Sequence, residues 1–236
     1  MFPLLTVKTT LFLPTRNEID GIKVIMPQLR PEWVDEILVV DAASTDGTRE
    51  WLEEHGYRVV EQVGQGLGAA YWQCLAESTG DVIIAFSPDG NSVPEAIPRL
   101  IEEMRKGYDM VIASRYLPPA RSADDDAITG FGNWMFTTAI NLLFGGKYTD
   151  SLVMLRAFRK DLFERVGMDA SETRPVLEPL LCMRCARLKK KVSEIPADEP
   201  PRIGGERKMR VLYNGWCILS VMIRDFLLRP GPRAGA

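Results

Sequence analysis

The feature that most restricts the fold is the alternation of short apolar segments with amphipathic segments in the first half of the chain. Five apolar segments are predicted to be strands, at 10–14, 36–41, 57–63, 81–86 and 109–114. Four helices are predicted between them, at 18–29, 46–55, 67–78 and 93–105. Because near-continuous apolar strands that alternate with amphipathic helices build sheets covered on both faces, we expect an α/β protein with a mostly parallel sheet.

A polar cluster follows each predicted strand. The clusters lie at 14–18, 41–46, 64–68, 87–91 and 114–116. In open α/β sheets ligands bind beyond the carboxyl ends of the strands. The five clusters therefore predict one ligand site at one edge of the sheet.

The pattern changes after Arg121. Helices are predicted at 128–144, 175–188 and 209–228, a strand at 191–196, and an irregular or extended segment at 149–158. The last helix carries an apolar stripe made of Leu212, Trp216, Leu219, Ile223 and Phe226. We expect this stripe to pack on the core, with contact to a membrane surface as the alternative.

Composition excludes several classes of protein. With 46% hydrophobic and 26% charged residues the chain is neither disordered nor fibrous. Its single histidine, His55, is expected at a helix end, and nearly excludes a Ser-His-Asp triad or a multi-histidine zinc site. Four cysteines do not form a disulfide framework in a chain of this length, and Cys182 and Cys185 are expected to be buried thiols.

The expected location is the cytoplasm, because Met1–Val7 lacks the basic and long apolar regions of a signal peptide. The longest clean apolar run of the last helix, 216–223, is too short to cross a bilayer, so no transmembrane helix is expected. Residues 184–210 carry nine lysines and arginines against four acidic residues. That basic segment could meet a phosphate or an anionic membrane surface, or form a solvated face.

Asp89 and Asn91 follow the fourth predicted strand and are two residues apart. Two oxygen ligands on a tight turn suit Mg²⁺ or Mn²⁺ that also binds a diphosphate. An ordinary β-turn is the alternative at Ser-Pro-Asp-Gly-Asn. At the first strand end, Arg16 and Glu18 could face a nucleotide, or Asn17 could simply cap a helix. Asp41 ends a buried strand, and a buried carboxylate needs a partner, which a nucleoside could supply.

Together the motifs resemble family 2 glycosyltransferases of the GT-A fold, and most closely the polyprenyl-phosphate sugar synthases typified by dolichyl-phosphate mannose synthase. The resemblance runs from about Thr10 to Lys208. It rests on the segments 13–18, 39–48, 66–69, 114–116, 194–196 and 202–208, and on Glu178 in a helix.

The resemblance implies a role for each matching residue. A nucleotide-sugar donor would be bound by Pro14, Arg16, Glu18, Asp41, Gly66, Ser87 and Pro88. Asp89 and Asn91 would bind Mg²⁺ or Mn²⁺, and Asp89 and Glu178 would be catalytic. Phosphates of donor or acceptor would lie near Arg115, Arg202 and Lys208. The expected acceptor is a polyprenyl phosphate at a membrane surface, and no nucleic acid partner is expected.

Three departures from the family pattern leave the donor and the acceptor open. The Asp-x-Asp triplet reads Ser87-Pro-Asp89, the Asp-Asp pair reads Asp41-Ala42, and 150–156 differs from the family's Asp-x-Thr-Ser-Gly-Phe-Arg. UDP- and GDP-sugars both stay open as donors, and a soluble sugar or another hydroxyl compound stays open as acceptor. Processive synthases are disfavoured, because the chain has no Gln-x-x-Arg-Trp motif.

The expected reaction is a single displacement at the anomeric carbon, which inverts its configuration. A lipid phosphate is already anionic and needs no general base. A hydroxyl acceptor would need one, and the candidates are Glu178, Asp124, Asp125 and Asp126.

The domain division implied is a GT-A domain at 1–208 and an amphipathic helix and tail at 209–236. Within the domain, 8–116 would bind the nucleotide-sugar and 117–208 the acceptor. One alternative is an NAD-binding oxidoreductase, because 64–69 fits G-x-G-x-x-A. That fingerprint normally belongs to the first βαβ unit, whereas here it follows the third strand. A non-catalytic nucleotide-sugar binding protein is the other alternative.

Overall fold

Seven strands form one sheet in the computed structural model, which describes residues 7–172, 176–204 and 210–228. The strands are β1 (Thr9–Thr15), β2 (Glu36–Asp41), β3 (Arg58–Glu61), β4 (Val82–Ala85), β5 (Met110–Ser114), β6 (Arg156–Arg159) and β7 (Val192–Pro196). Their order across the sheet is β3-β2-β1-β4-β6-β5-β7. Successive side chains of a strand face opposite sides, yet Leu11, Phe12 and Leu13 are all buried. Both faces are therefore covered, and the predicted mostly parallel α/β sheet is confirmed.

Eight α-helices occur within the described residues. They are α1 (Ile19–Ile25), α2 (Thr48–Glu54), α3 (Gly66–Glu77), α4 (Ala96–Met104), α5 (Ala127–Phe144), α6 (Leu162–Arg165), α7 (Leu177–Arg187) and α8 (Val211–Leu228). The first helix is shorter than predicted, because Pro27 cannot donate a backbone hydrogen bond. The chain continues there as a 3-10 turn, Met26–Gln28. His55 is the residue at which α2 ends, as expected.

Strand β6 was not predicted as a separate element. It forms only at the end of the segment 149–158 and runs antiparallel between β4 and β5. It is short and includes Arg156 and Arg159, so it lacks the apolar run that marked the other strands. Helix α6 was not predicted either, because four residues are too few to show a helical period.

The ends of α5 are fixed by local hydrogen bonds. The Asp126 carboxylate accepts from the backbone nitrogens of Ile128 at 3.0 Å and Thr129 at 2.8 Å, which satisfies donors that a helix start leaves open. Gly145 ends the helix in the left-handed region, at φ 80°. The predicted helix at 128–144 is confirmed to within one residue.

The prediction for the stripe on α8 is wrong. Leu212 and Trp216 are 90% and 68% exposed, and Leu219, Ile223 and Phe226 are also exposed. The buried face consists of Cys217, Ile218, Val221, Met222 and Asp225. Both faces of this helix are apolar, so periodicity alone did not identify the one that packs inward.

Helix α8 is also long and apolar enough to cross a membrane by length and composition. The expectation of no transmembrane helix is therefore not confirmed. The expectation for the Cys-x-x-Cys pair is confirmed, because Cys182 and Cys185 are buried free thiols. Burial raises the pKa of the Cys182 thiol to about 11.

Candidate functional site

A cleft of about 560 Å³ lies at the carboxyl ends of the parallel strands. Most of the predicted site residues line it, namely Pro14, Arg16, Glu18, Gly66, Ser87, Asp89, Asn91, Arg115, Glu178 and Arg202. These residues come from six segments spread over 189 positions, from 14 to 202. The predicted convergence of strand-end clusters on one site is therefore borne out by the geometry, while their individual roles stay predictions.

Two predicted residues, Asp41 and Pro88, do not line the cleft. The carboxylate of Asp41 is buried and accepts from the hydroxyl of Thr15 at 2.9 Å and the backbone nitrogen of Ser44 at 2.9 Å. It thus has partners within the chain, and its contact with a nucleoside stays a prediction. Pro88 is not among the lining residues, and Lys208 lies outside the described residues.

The loops after β1 and β2 are clamped together. Asn17, in the left-handed region at φ 54°, accepts from the backbone nitrogen of Thr45 at 2.8 Å. Asp46 accepts from the backbone nitrogens of Ile19 at 3.1 Å and Thr48 at 3.0 Å. The N-cap residues of α1 and α2 are Glu18 and Gly47, so the capping alternative considered for Asn17 is wrong. Asn17 and Asp46 instead hold the starts of α1 and α2 together, which fixes Arg16 and Glu18 at the cleft edge.

The loop after β4 places Asp89 and Asn91 side by side. The backbone nitrogen of Asn91 donates to Asp89 Oδ1 at 3.1 Å, and Gly90 between them adopts φ 93°. Helix α1 packs directly on this loop, since a Cβ at Gly21 would lie 2.4 Å from the Pro88 carbonyl oxygen. Gly21 therefore permits a close approach that sets the position of Asp89 against α1.

Asn91 has an acceptor atom available for a ligand. Its Nδ2 donates to Asp124 Oδ2 at 3.1 Å, which directs its Oδ1 the other way. That Oδ1 is buried and has no hydrogen-bond partner among the described residues. A buried oxygen without a partner is costly, and a hard divalent cation would satisfy it. Asp89 and Asn91 thus fit a metal ion, although no group of three or more His, Cys, Asp or Glu suited to a metal occurs in the described part of the chain.

Arg202 lies across the cleft between two of the predicted residues. Its Nη1 is 2.6 Å from Asp89 Oδ2, and its Nη2 contacts Glu18 Oε2. The planar guanidinium presents its donors as a rigid fork, which suits two carboxylates at once. Arg202 thereby joins the loops after β1 and β4 to the segment that follows β7.

Arg115 is surrounded by carboxylates rather than by open cleft. Its Nε is 2.7 Å from Asp150 and its Nη1 is 3.1 Å from Glu199 and 3.5 Å from Asp125. Burial alone would lower the pKa of Arg115, but the charge of Asp150 and the other carboxylates outweighs burial and raises it. Burial likewise works against the ionised form of Asp150, and Arg115 outweighs it to lower the Asp150 pKa. The predicted phosphate contact of Arg115 stays a prediction.

Glu178 lies in the cleft wall at the start of α7 and is 6% exposed. Its Oε1 accepts from the hydroxyl of Tyr71 on α3 at 2.9 Å. Its backbone oxygen accepts from Arg156 Nη1 at 3.2 Å. Burial, followed by the charge of Glu178, raises the pKa of Tyr71, so Tyr71 stays a hydrogen donor at neutral pH.

Several lining or supporting residues were not predicted from the sequence. They are Tyr71, Asp150 as the partner of Arg115, Arg210 just before α8, and the α8 residues Tyr213 and Asn214; the last three line the cleft. The sequence does contain a signal for Asp150, because this residue is the first of the segment 150–156 that differs from the family pattern. Tyr71 and the α8 residues had none, since their contacts join parts of the chain far apart in sequence.

A mostly parallel sheet with this strand-end cleft defines a GT-A glycosyltransferase fold. Glucosyl-3-phosphoglycerate synthase from Mycobacterium tuberculosis, solved with Mn²⁺, UDP-glucose and phosphoglyceric acid, has the same fold. It superposes with a TM-score of 0.73 at 20% sequence identity, over 97% of this chain and 82% of that one.

The model of the family described as glycosyl transferase family 2 matches residues 10–167, more than half of the chain. Undecaprenyl-phosphate mannosyltransferase of Micrococcus luteus is 31% identical over 222 residues, covering 89% of this chain and 90% of that relative. Undecaprenyl-phosphate 4-deoxy-4-formamido-L-arabinose transferase of Pseudomonas fluorescens is 28% identical over 227 residues, covering 90% and 62%. The chain belongs to glycosyltransferase family 2 and is a glycosyltransferase, which removes the oxidoreductase alternative.

Proposed function

We propose that this enzyme transfers a sugar from a UDP- or GDP-sugar to a polyprenyl phosphate at a membrane surface, with inversion at the anomeric carbon. The observation that carries the proposal is the position of the cleft beside a large exposed apolar surface. Two relatives that match about nine-tenths of this chain are named for undecaprenyl phosphate, which supports the same acceptor class.

The apolar surface is formed by the exposed side chains of α5 and α8. They are Ile128, Phe131, Trp134, Met135, Leu142 and Leu143 on α5, and Leu212, Tyr213, Trp216, Leu219, Ile223, Phe226 and Leu227 on α8. The two helices are in contact, with the rings of Phe144 and Phe226 6.2 Å apart. Exposed apolar patches of this size on soluble proteins mark interaction sites, and tryptophan and tyrosine are enriched where protein meets the membrane–water interface.

Both helices start at the cleft. Asp124 lines the cleft just before α5, and Arg210, Tyr213 and Asn214 line it at the start of α8. A lipid whose chain lies against the apolar surface could therefore place its phosphate in the cleft. A soluble acceptor would make no use of this surface.

Helix α8 is held to the body of the protein near its other end as well. Asp225, fully buried, pairs with Arg184 at 2.8 Å, with Arg224 at 3.0 Å and with Arg187 at 3.4 Å. Arg184 also pairs with Glu172 at 3.2 Å. Exposing these charges to hydrocarbon would be costly. We therefore infer that α8 lies along the protein and in the membrane plane, which makes the association peripheral.

The acceptor phosphate would meet Arg210, the cleft arginine nearest to α8 in sequence. Arg115 is already held by three carboxylates, so we assign it the positioning of Asp150 and Glu199 rather than the first contact with phosphate. An anionic phosphate oxygen attacks the anomeric carbon, and the bond from that carbon to the donor diphosphate breaks. The nucleoside diphosphate leaves with the bonding electrons, and no proton needs to be removed from the acceptor.

Asp89 and Asn91 would hold Mg²⁺ or Mn²⁺, which neutralises charge on the departing diphosphate when bound. Asp124 orients Asn91 by accepting a hydrogen bond from the Asn91 side-chain amide nitrogen. Helix α1 packs on the backbone of the loop that carries Asp89. Glu178, held by Tyr71, forms part of the cleft wall.

The proposal is tested by a transfer assay that crosses donors with acceptors. Radiolabelled UDP- and GDP-hexoses are supplied with Mn²⁺ and either undecaprenyl phosphate in detergent or water-soluble phosphate and sugar acceptors. We expect label in the organic phase with undecaprenyl phosphate only, and a loss of at least about a hundred-fold in Asp89→Ala. Asp81→Ala, which removes an exposed carboxylate from the far end of β4, is the matched control and should retain activity. Transfer to a soluble acceptor alone would overturn the lipid assignment.

A further inference from the structure

Arg202 occupies the position at Asp89 that a cation would take. Both oxygens of the Asp89 carboxylate are engaged, since Oδ2 lies 2.6 Å from Arg202 Nη1 and Oδ1 accepts from the backbone nitrogen of Asn91 at 3.1 Å. The second Nη of Arg202 contacts Glu18. A divalent metal that uses Asp89 must therefore share or displace the guanidinium.

The contact is largely removed from water. The side chains of Asp89 and Glu18 are 11% and 9% exposed, and that of Arg202 is 15% exposed. In such a setting charges interact more strongly than on an open surface. A guanidinium and a divalent cation on the same carboxylate would repel each other.

The backbone around Arg202 holds the guanidinium in place. The backbone nitrogen of Ile203 donates to the Asp89 carbonyl oxygen at 2.7 Å, and that of Arg202 donates to Asp124 Oδ1 at 3.3 Å. Gly204 packs so closely on α1 that a Cβ there would lie 2.5 Å from Asp20. The segment 202–204 is thus held against the loop that carries Asp89 and against α1.

We propose that Arg202 is a resident counter-cation of Asp89 that excludes the divalent metal until the donor diphosphate arrives. The guanidinium cancels one of the carboxylate charges around Asp89, which weakens the hold on a divalent cation. A nucleoside diphosphate adds negative charge and phosphate oxygens, to which both the metal and Arg202 can bind. Metal and donor then bind together, and Arg202 exchanges its carboxylates for phosphate. This inference rests on the proposed function.

The test is Mn²⁺ binding to the donor-free protein, measured from the electron paramagnetic resonance signal of free Mn²⁺. We expect Arg202→Gln to bind Mn²⁺ about ten-fold more tightly than the wild type, although it transfers sugar more slowly. Arg30→Gln, which removes the same charge from a surface position where the guanidinium packs over Trp33, is the matched control and should leave Mn²⁺ affinity unchanged. The gain should vanish in the double variant Arg202→Gln, Asp89→Asn.

The variant Arg202→Lys keeps the positive charge but loses the two-pronged guanidinium that bridges Asp89 and Glu18. Its Mn²⁺ affinity is measured in the same assay, and it replaces Arg202→Gln if that variant does not fold. A lysine is a single point charge and cannot bridge both carboxylates, so its Mn²⁺ affinity should lie between those of Arg202→Gln and the wild type. Unchanged or weaker Mn²⁺ affinity in both Arg202 variants would overturn the inference. Sugar transfer to undecaprenyl phosphate by the wild type is measured in a separate assay. Failure of the Arg202 inference is therefore distinguishable from failure of the proposed function.

Discussion

At the scale of single residues, the cleft depends on buried polar contacts between distant parts of the chain. Tyr71 is fully buried on α3, and its hydroxyl is the partner of the Glu178 carboxylate. A buried carboxylate without a donor loses the solvation that water would provide. Tyr71 therefore both fills the core and keeps Glu178 oriented at the cleft wall.

Replacement of Tyr71 by phenylalanine should leave Glu178 short of one donor. We expect the free energy of unfolding to fall by about 1–3 kcal/mol, measured by urea denaturation at pH 7. Tyr57→Phe is the matched control, because the Tyr57 hydroxyl makes only a 3.4 Å contact with the Met26 carbonyl oxygen. Equal stability of the two variants would show that the Tyr71 hydrogen bond contributes nothing.

The sequence correctly predicted the place of cleft residues that follow directly from the order of strands and helices. Glu18, Asp89 and Arg115 follow strands, and strand ends converge at one edge of a parallel sheet. Partners were not predictable in the same way, since Tyr71 and Glu178 are 107 residues apart. Asp41 was expected to need a partner; Thr15 and Ser44 supply partners within the chain, and its contact with a nucleoside stays a prediction.

At the scale of elements, α8 shows how a buried charge decides which face of a helix packs. Asp225 interrupts an apolar sequence, yet it is the most buried side chain of the helix. Burial alone would raise its pKa, but the hydrogen bond and charge of Arg184 outweigh burial and hold the pKa below its usual value. A carboxyl with a depressed folded-state pKa stabilises the fold above its unfolded-state pKa and loses that contribution as pH falls through the folded-state value.

Replacement of Asp225 by asparagine keeps the shape and removes the charge. We expect a loss of about 3–5 kcal/mol at pH 7, because Arg184 would lose its buried carboxylate partner. The difference from the wild type should narrow as the pH falls through the lowered folded-state pKa of Asp225, where the native carboxyl also becomes protonated. Urea denaturation between pH 3 and pH 7 measures both effects.

The control for that experiment is Arg224→Gln. Arg224 also pairs with Asp225, but it is 38% exposed, so water screens the pair and the cost should stay below about 1 kcal/mol. Equal losses in the two variants would contradict the assignment of Asp225 and Arg184 as the anchor of α8.

Sequence periodicity predicted the existence and length of α5, α7 and α8 within a few residues. The inward face of α8 was predicted wrongly, because its apolar residues surround the helix and the deciding contact is an ion pair with α7. Strand β6 was missed because four residues with two arginines carry no apolar pattern. Tertiary ion pairs of this kind leave no periodic signal in the chain.

At the scale of the whole molecule, the cleft is bordered by the segments from which α5 and α8 start. The sheet positions the proposed donor site, and α5 and α8 carry exposed apolar side chains. The sequence predicted the sheet edge but not the contact between α5 and α8, which brings two helices with exposed apolar side chains together. That contact is what favours a lipid-bearing acceptor over a soluble one.

A glutamate in the middle of the apolar surface should weaken membrane binding without harming the fold. We expect Leu219→Glu and Phe131→Glu each to reduce partitioning onto vesicles with about one-third anionic lipid by roughly ten-fold, since each removes one large apolar side chain from the interface. Val24→Glu, at a half-exposed position on α1, is the matched control and should bind as the wild type does.

The same vesicles distinguish a helix in the membrane plane from one that crosses it. An in-plane α8 should be released into the soluble fraction by alkaline carbonate, together with the rest of the chain. A transmembrane α8 would stay with the lipid pellet under that wash and would separate Asp225 from Arg184. Retention of the wild type in the pellet would therefore contradict peripheral association, and the contrast with Asp225→Asn would show whether the buried ion pair is what holds α8 along the protein.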